Sequence, residues 1–316
     1  MRQIRMLALG ASMLVLLSAC STGGGGSASP TSSASASTAA APTIKIGSDD
    51  FYEAKIMAEI YAQALEAHGY TVDRAGIGLG GRKVTAPALE SGQIDLKPEY
   101  IGSGLAYYAP GKQTGDPAAN RAALQAILAT KGGGITVLNY APAVDTNAFV
   151  VRKETAQQFN LTTLTSAAAV QNQLKWGWAT DCPTNPVCAT ALKNAYGIEP
   201  QNVTPLAACS TPMATALLNK TIDVAELCST QPDIAQNGWV VLQDDKHTQP
   251  ADNIAPLVRD SYLAKLPDKA GFEAILNAVS AKMTTAMLTG LNAKFTFDKL
   301  DIATIAKQWL KDNGLT

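Results

Sequence analysis

Cysteine and histidine carry the widest chemistry in this 316-residue chain, and their spacing narrows what that chemistry is. Beyond Cys20 there are four cysteines: Cys182, Cys188, Cys209 and Cys228. Outside the cytoplasm an even number of thiols favours disulfides, and four thiols allow three pairings. Cys182 and Cys188 flank Pro183-Thr184-Asn185-Pro186-Val187, a turn that can bring their ends together; Cys209 and Cys228 are then the remaining pair. A zinc site is the competing chemistry. The spacing matches no common zinc pattern, and His68 and His247 are the only imidazoles, so no metal is expected.

Two enzyme signatures need weighing. Gly76-Ile77-Gly78-Leu79-Gly80-Gly81 satisfies G-x-G-x-x-G after a strand and before a helix, with Asp95 nineteen residues on. Asp95, however, falls inside the next apolar strand rather than at its end. The glycines read better as a tight turn whose following helix N-terminus faces a cleft, where its amides can meet a ligand oxygen. No Gly-x-Ser-x-Gly elbow is present, and neither histidine has a nucleophile near it in sequence. No catalysis and no cofactor are expected.

The elements that must position these residues begin after an unusual N-terminus. Met1 to Arg5 is a short basic head, and Met6 to Leu17 is an apolar run too short to span a bilayer. Leu17-Ser18-Ala19-Cys20 then resembles the lipobox of bacterial lipoproteins. The resemblance implies cleavage after residue 19, acylation of Cys20 and a lipid-anchored chain outside the cytoplasmic membrane, at the cell surface or in the periplasm. Ser21 to Pro42 contains only Gly, Ser, Ala, Thr and Pro. Such a segment buries too little apolar surface to order itself, so 20–42 reads as a tether whose ends lie roughly 25 Å apart. The net charge of −1 and the scattered Lys and Arg give no footprint for nucleic acid or for a polybasic membrane patch.

From residue 43 onward, short strands alternate with helices. Strands are expected at 43–47, 70–74, 94–96, 147–151, 175–178, 222–227, 239–242 and 254–258. Helices are expected at 53–68, 84–90, 118–130, 163–173, 187–196, 212–219, 270–288 and 300–312. The alternation predicts an α/β fold with mostly parallel sheets, in two halves.

Four blocks within this frame carry a family resemblance. They are Ile46-Gly47-Ser48-Asp49-Asp50-Phe51-Tyr52-Glu53 with Ile60 to Glu66; Pro87 to Leu96 with Pro98-Glu99-Tyr100-Ile101-Gly102-Ser103; Cys182 to Cys188 with Ala195-Tyr196-Gly197; and Leu242 to His247 with Ala255 to Arg259. In this order they resemble the osmoprotectant-type substrate-binding proteins of ABC importers, which include binders of glycine betaine, choline, carnitine and proline betaine. The resemblance implies a type II periplasmic-binding-protein fold: two α/β lobes, two crossing hinge strands, and a ligand cleft between the lobes. Lobe I would comprise 43–147 plus 253–316, and lobe II 148–252. Closure about the crossings would trap a small solute and present it to a permease with its ATPase. The receptor is expected to act as a monomer.

The same resemblance places candidate ligand contacts. Tyr100 stands at the family's lobe I cage tyrosine, Ser103 at its neighbouring hydroxyl, and Asp145 at its cleft acid. Asn147 replaces a second cage tyrosine, and Asn185 replaces a frequent arginine. Ala214 and Cys228 fall near two further aromatic positions. Asp50, Tyr52 and Gly81 from the first half, and Thr211, Ser229 and Thr230 from the second, complete the expected lining. Tyr140 could rebuild an aromatic wall. A quaternary ammonium is held by aromatic faces. A cage thinned in this way equally suits an uncharged polyol, a sugar-like or a polyphenolic ligand, and the same fold could serve a sensing or adhesion module without transport.

Overall fold

The structure, a computed structural model, describes residues 41–316. The leader, Cys20 with its expected lipid, and the tether up to residue 40 lie outside the described residues. Among those described, no helix is long and apolar enough to cross a membrane.

The strands β1 (Ile44–Gly47), β2 (Val72–Gly76), β3 (Leu96–Tyr100) and β4 (Ile135–Val137) come first in the chain. β5 (Asn147–Val151), β6 (Trp176–Ala179), β7 (Val203–Leu206), β8 (Val224–Cys228) and β9 (Val240–Val241) follow, and β10 (Ile254–Arg259) is last. They form two five-stranded sheets, ordered β2-β1-β3-β10-β4 and β7-β6-β8-β5-β9. β1 runs parallel to β2 and β3, and β6 parallel to β7 and β8. The remaining strand contacts are antiparallel: β10 lies between β3 and β4, and β5 between β8 and β9. Each sheet therefore contains a strand that has just crossed from the other. The two crossing segments touch: Val144 bridges Asn253, and the Asp145 amide donates to the Asp252 carbonyl at 3.1 Å.

Helices α1 (Tyr52–Ala67), α2 (Arg82–Ser91), α3 (Ile101–Tyr108) and α4 (Pro117–Leu128) belong with the first sheet. α5 (Lys153–Phe159), α6 (Leu164–Ala169), α7 (Ala189–Tyr196), α8 (Thr211–Leu218) and α9 (Asp233–Gln236) belong with the second. The chain closes with α10 (Asp260–Leu263), α11 (Lys269–Lys282), α12 (Thr285–Thr296) and α13 (Ile302–Asp312). α1 is apolar on most of its surface because it is covered on both sides. Ile56, Ile60 and Leu65 share one core with Ile44 and Ile46 of the sheet and with Phe272, Leu276 and Trp309 of the last helices. α13 shows the narrower stripe of a surface helix, burying Ile305, Ala306, Trp309 and Leu310, and Asp301 caps it by accepting from the Thr304 amide.

Several expectations shift. The single helix expected over 270–288 is two, because the Thr284 hydroxyl accepts from the Met287 amide and starts α12 afresh. The strand expected at 94–96 begins at Leu96 and runs on through Pro98, which sits opposite Pro256 in the register, so the two residues without N–H groups face each other. Asp95 precedes that strand. Its carboxylate accepts from the Lys45 amide at 3.2 Å and faces Arg259 at 3.4 Å, so it pins the sheet. α3, α5, α9, α10, β4 and β7 were not among the expected elements; they are short, and β7 is mostly exposed. The glycine-rich turn does lead from β2 into α2, with Gly78 at φ +75° and Gly80 at φ +150°, conformations that favour glycine.

Candidate functional site

A cavity of about 340 Å³ lies between the two sheets, beside the crossings. One side is made by Asp49, Asp50 and Phe51 after β1, by Gly81 and Arg82 at the start of α2, and by Tyr100 and Ser103 around the start of α3. The other is made by Thr180 and Asp181 after β6, by Asn185, by the loop Ala207–Cys209, and by Glu226 and Cys228 of β8. Asp145, Thr146 and Asn147 join the two, with Asp252 beside them.

The lobe I wall rests on an internal charge network. Lys97, 1% exposed, donates to Asp49 and Glu99 at 3.0 Å each and to the Thr85 hydroxyl at 2.9 Å. Arg82 donates to the same Glu99 at 2.9 and 3.0 Å. Burial pushes the Glu99 carboxyl up, but the Arg82 and Lys97 charges outweigh it and hold the group at about 2. Arg82 faces the cavity yet is engaged from behind by Glu99.

A second network sits at the crossings. Glu53 of α1 is buried and accepts from the Tyr100 hydroxyl at 2.7 Å, from the Thr230 hydroxyl and from the Asn292 amide. Asp145 accepts from the Ser229 hydroxyl and the Thr230 amide, both at 3.0 Å. Burial raises both carboxyls above their ordinary values, and the Glu53 charge raises Asp145 further. Two buried carboxyls so placed favour sharing a proton. Thr230 follows β8 of the second sheet and Glu53 lies on α1 beside the first, so this network joins the two halves next to the crossings. Asp252 accepts from the Ser103 amide at 2.8 Å and from its hydroxyl; burial lifts this acid to about 6, against the pull of Ser103 and Arg82.

The lobe II wall is different. Glu226 is 4% exposed in the middle of β8, and its carboxylate accepts one hydrogen bond, from the Ala179 amide at 2.8 Å. Burial, with the Asp181 charge beside it, raises the group to about 8 despite that bond. Both disulfides lie along this wall. Cys182–Cys188 closes the turn that presents Asn185, and Cys209–Cys228 fastens the Ala207–Cys209 loop to β8, with Cα separations of 5.1 and 5.0 Å. At the mouth, Lys83 of α2 donates to the Thr184 hydroxyl at 2.6 Å, joining the lobes across the opening.

Of the residues expected to line a cleft, the structure brings together Asp50, Gly81, Tyr100, Ser103, Asp145, Asn147 and Asn185. The others stand elsewhere. Tyr52 is buried in the lobe I core and stacks on Phe295 at 5.2 Å, because one step along α1 turns it away while Phe51 faces the cavity. Tyr140 packs against the apolar cluster behind β4. Thr211 is exposed on the first turn of α8, whose cap is Ser210. Ser229 and Thr230 spend their side chains on Asp145 and Glu53. Phe51, Arg82, Asp181, Glu226 and Asp252 escaped the sequence reading. Glu226 did leave a signal: an acid inside Val224-Ala225-Glu226-Leu227-Cys228, a run otherwise apolar.

Residues 42–312 match the family model described as the substrate binding domain of ABC-type glycine betaine transport systems. The chain belongs to this family. It is 29% identical over 291 residues to the glycine betaine-binding protein YehZ of Escherichia coli, covering 88% of this chain and 92% of that one. It is 26% identical over 275 residues to the carnitine transport binding protein OpuCC of Listeria monocytogenes, covering 86% and 87%. Among solved structures, apo YehZ superposes with a TM-score of 0.62 at 26% identity, covering 87% of this chain and all of that one. A glycine betaine/carnitine/choline ABC transporter structure gives 0.66 at 23% identity, covering 86% and 99%, which bears on the fold alone. The two-lobed periplasmic-binding-protein architecture is therefore the family's. The family is one of transport rather than of enzymes, and such domains work outside the cytoplasm.

Proposed function

We propose that this chain is a lipid-anchored receptor that captures a small osmoprotectant-like solute of the glycine betaine, choline or carnitine type. Lobe closure traps the solute, and the closed form delivers it to the permease of an ABC importer driven by its ATPase. Lobe I comprises 43–147 and 253–316, lobe II 148–252, and the receptor acts as a monomer. The observation that carries this reading is the position of the cavity. It draws walls from both lobes and sits against the only two crossings between the sheets among the described residues. Rotation about Asp145 and Asp252 changes the cavity's width directly. The Lys83–Thr184 bond is a contact that such a rotation makes or breaks.

Calorimetry of the purified chain against glycine betaine, choline, carnitine, proline betaine and a polyol tests this. Saturable binding of an ammonium compound with one site per chain is expected. Binding of the polyol alone would move the receptor to a neutral cargo, and binding of none would refute solute capture. Globomycin-sensitive processing and an acylated Cys20 in membrane extracts are expected for the anchor; a soluble, unacylated chain would remove it.

A further inference from the structure

The lobe II wall carries a buried acid, Glu226, to which the protein supplies no cation. Glu226 is more than nine-tenths buried and lines the cavity, yet only the Ala179 amide reaches it; its second oxygen has no hydrogen-bond partner among the described residues. The other buried acids here are supplied. Asp49 has Thr85 and Lys97, Asp145 has Ser229 and Thr230, and Asp252 has Ser103. The two cations at the cavity are engaged as well, Arg82 by Glu99 and Lys83 by Thr184. Aromatic surface is scarce: Phe51 and Tyr100 are the aromatic lining residues, their rings 5.6 Å apart, and both belong to lobe I.

Resting on the receptor reading above, we infer that this cavity selects a cation bearing at least one N–H, which it donates to the free Glu226 oxygen, over the fully methylated ammonium of the same shape. The argument is one of satisfaction. A quaternary nitrogen has no proton to give. Against Glu226 it supplies charge alone and leaves a buried carboxylate oxygen without a donor, a costly arrangement. It also gains most from several aromatic faces, and lobe II offers none. A tertiary, secondary or primary ammonium supplies charge and donor together, and charge-assisted hydrogen bonds are the strong ones. The two rings on lobe I remain to cover its carbon substituents.

The inference carries a proton with it. In the empty cavity at neutral pH the Glu226 carboxyl holds its proton, since its value stands at about 8. An arriving ammonium favours the carboxylate, so the proton leaves to solvent as the ion pair forms. Other groups face the same space. Asp181 lies on its lobe II side, Asp145 and Asp252 stand at the crossings, and Arg82, Lys83, Asp49 and Asp50 lie across it. Asp252, at about 6, also titrates near neutrality, so the variant below is needed to isolate Glu226.

The test uses matched pairs on the full chain in detergent: choline against dimethylethanolamine, and glycine betaine against dimethylglycine, by calorimetry at pH 7, 7.5 and 8. The N–H member of each pair should bind about tenfold tighter or more. Its affinity should climb with pH, and comparison of two buffers should show close to one proton released per ligand at pH 7. Glu226→Gln should abolish both the proton release and the preference while leaving the melting transition cooperative. If the methylated parents bind as tightly as their N–H partners, or if no proton is released by the unaltered chain, selection by Glu226 is refuted and the receptor reading stands. If none of the four binds, the selection falls, and the receptor reading falls with it if carnitine, proline betaine and the polyol also fail to bind.

Discussion

Glu226→Gln should make this protein more stable at neutral pH, although it removes a side chain from the binding cavity. Glu226 is raised from an ordinary 4.5 to about 8 by burial first and by Asp181 second. An acid whose folded value lies above its unfolded value binds its proton more tightly when folded. Between the two values the unfolded chain gives that proton up first, so stability falls as pH rises from about 4.5 to about 8. Each pH unit in that window costs about 1.4 kcal/mol. At pH 7 the cost is about 3 kcal/mol, approaching about 5 kcal/mol above pH 8. Glutamine keeps the shape and can still accept from the Ala179 amide, but it has no charge to desolvate. Urea unfolding at pH 4.5, 6, 7 and 8 should therefore show parent and variant equal at the acid end and diverging upward, with the variant ahead by about 3 kcal/mol at pH 7. A variant less stable than the parent at pH 7, or a difference that does not change with pH, would show that Glu226 is not held in a desolvated setting.

Three further perturbations probe the rest of the site. Lys97→Met leaves Asp49 with the Thr85 hydroxyl alone while Glu99 keeps Arg82, so a loss of about 3 kcal/mol is expected in urea unfolding, as for other broken buried pairs; a loss under about 1 kcal/mol would mean that water replaces the lysine. Replacing Cys209 and Cys228 together by alanine opens a loop with a sequence separation of 19, and a loss of about 3 kcal/mol is expected, with weaker solute binding because Ala207 and Ala208 lose their anchor on β8. Lys83→Ala removes the bond to Thr184 across the mouth. It should speed ligand release by severalfold with little change in the association rate, measured by stopped-flow fluorescence; equal release rates would remove this contact from the closed state.

The fold was legible in the sequence because its long elements are periodic or uniformly apolar, as in α1 and β5, and because four motif blocks fall in the family's order. What the sequence hid has physical reasons. Thr284 and Thr285 interrupt an apolar period that reads as one helix, and only the Thr284 cap shows that the second helix starts there. Tyr52 and Phe51 are neighbours of similar chemistry, and the entry angle of α1 decides which of them faces the cavity. Ser229 and Thr230 look like cleft hydroxyls, but their partners, Asp145 and Glu53, are 84 and 177 residues away in the chain. Arg82 reads as a surface residue after a glycine turn until the fold places Glu99 behind it. Residue type and local spacing carry none of these long-range pairings, so a motif could indicate the cavity and still misplace its lining.

The distribution of the buried acids then says how the two lobes divide their work. In lobe I, the buried carboxyls at and behind the cavity wall have a cation supplied by the fold itself: Asp49 has Lys97 and Glu99 has Arg82. Moving Arg82 or Lys97 would strip a partner from Glu99. In lobe II, Glu226 has one backbone donor and stays protonated at neutral pH because nothing offsets its charge. The two disulfides hold this wall in place, where lobe I uses ion pairs. If a cation binds as proposed, the half with the unpaired acid is the one whose energy changes most, and the Thr230–Asp145 hydrogen bond beside the crossings links it to the other half.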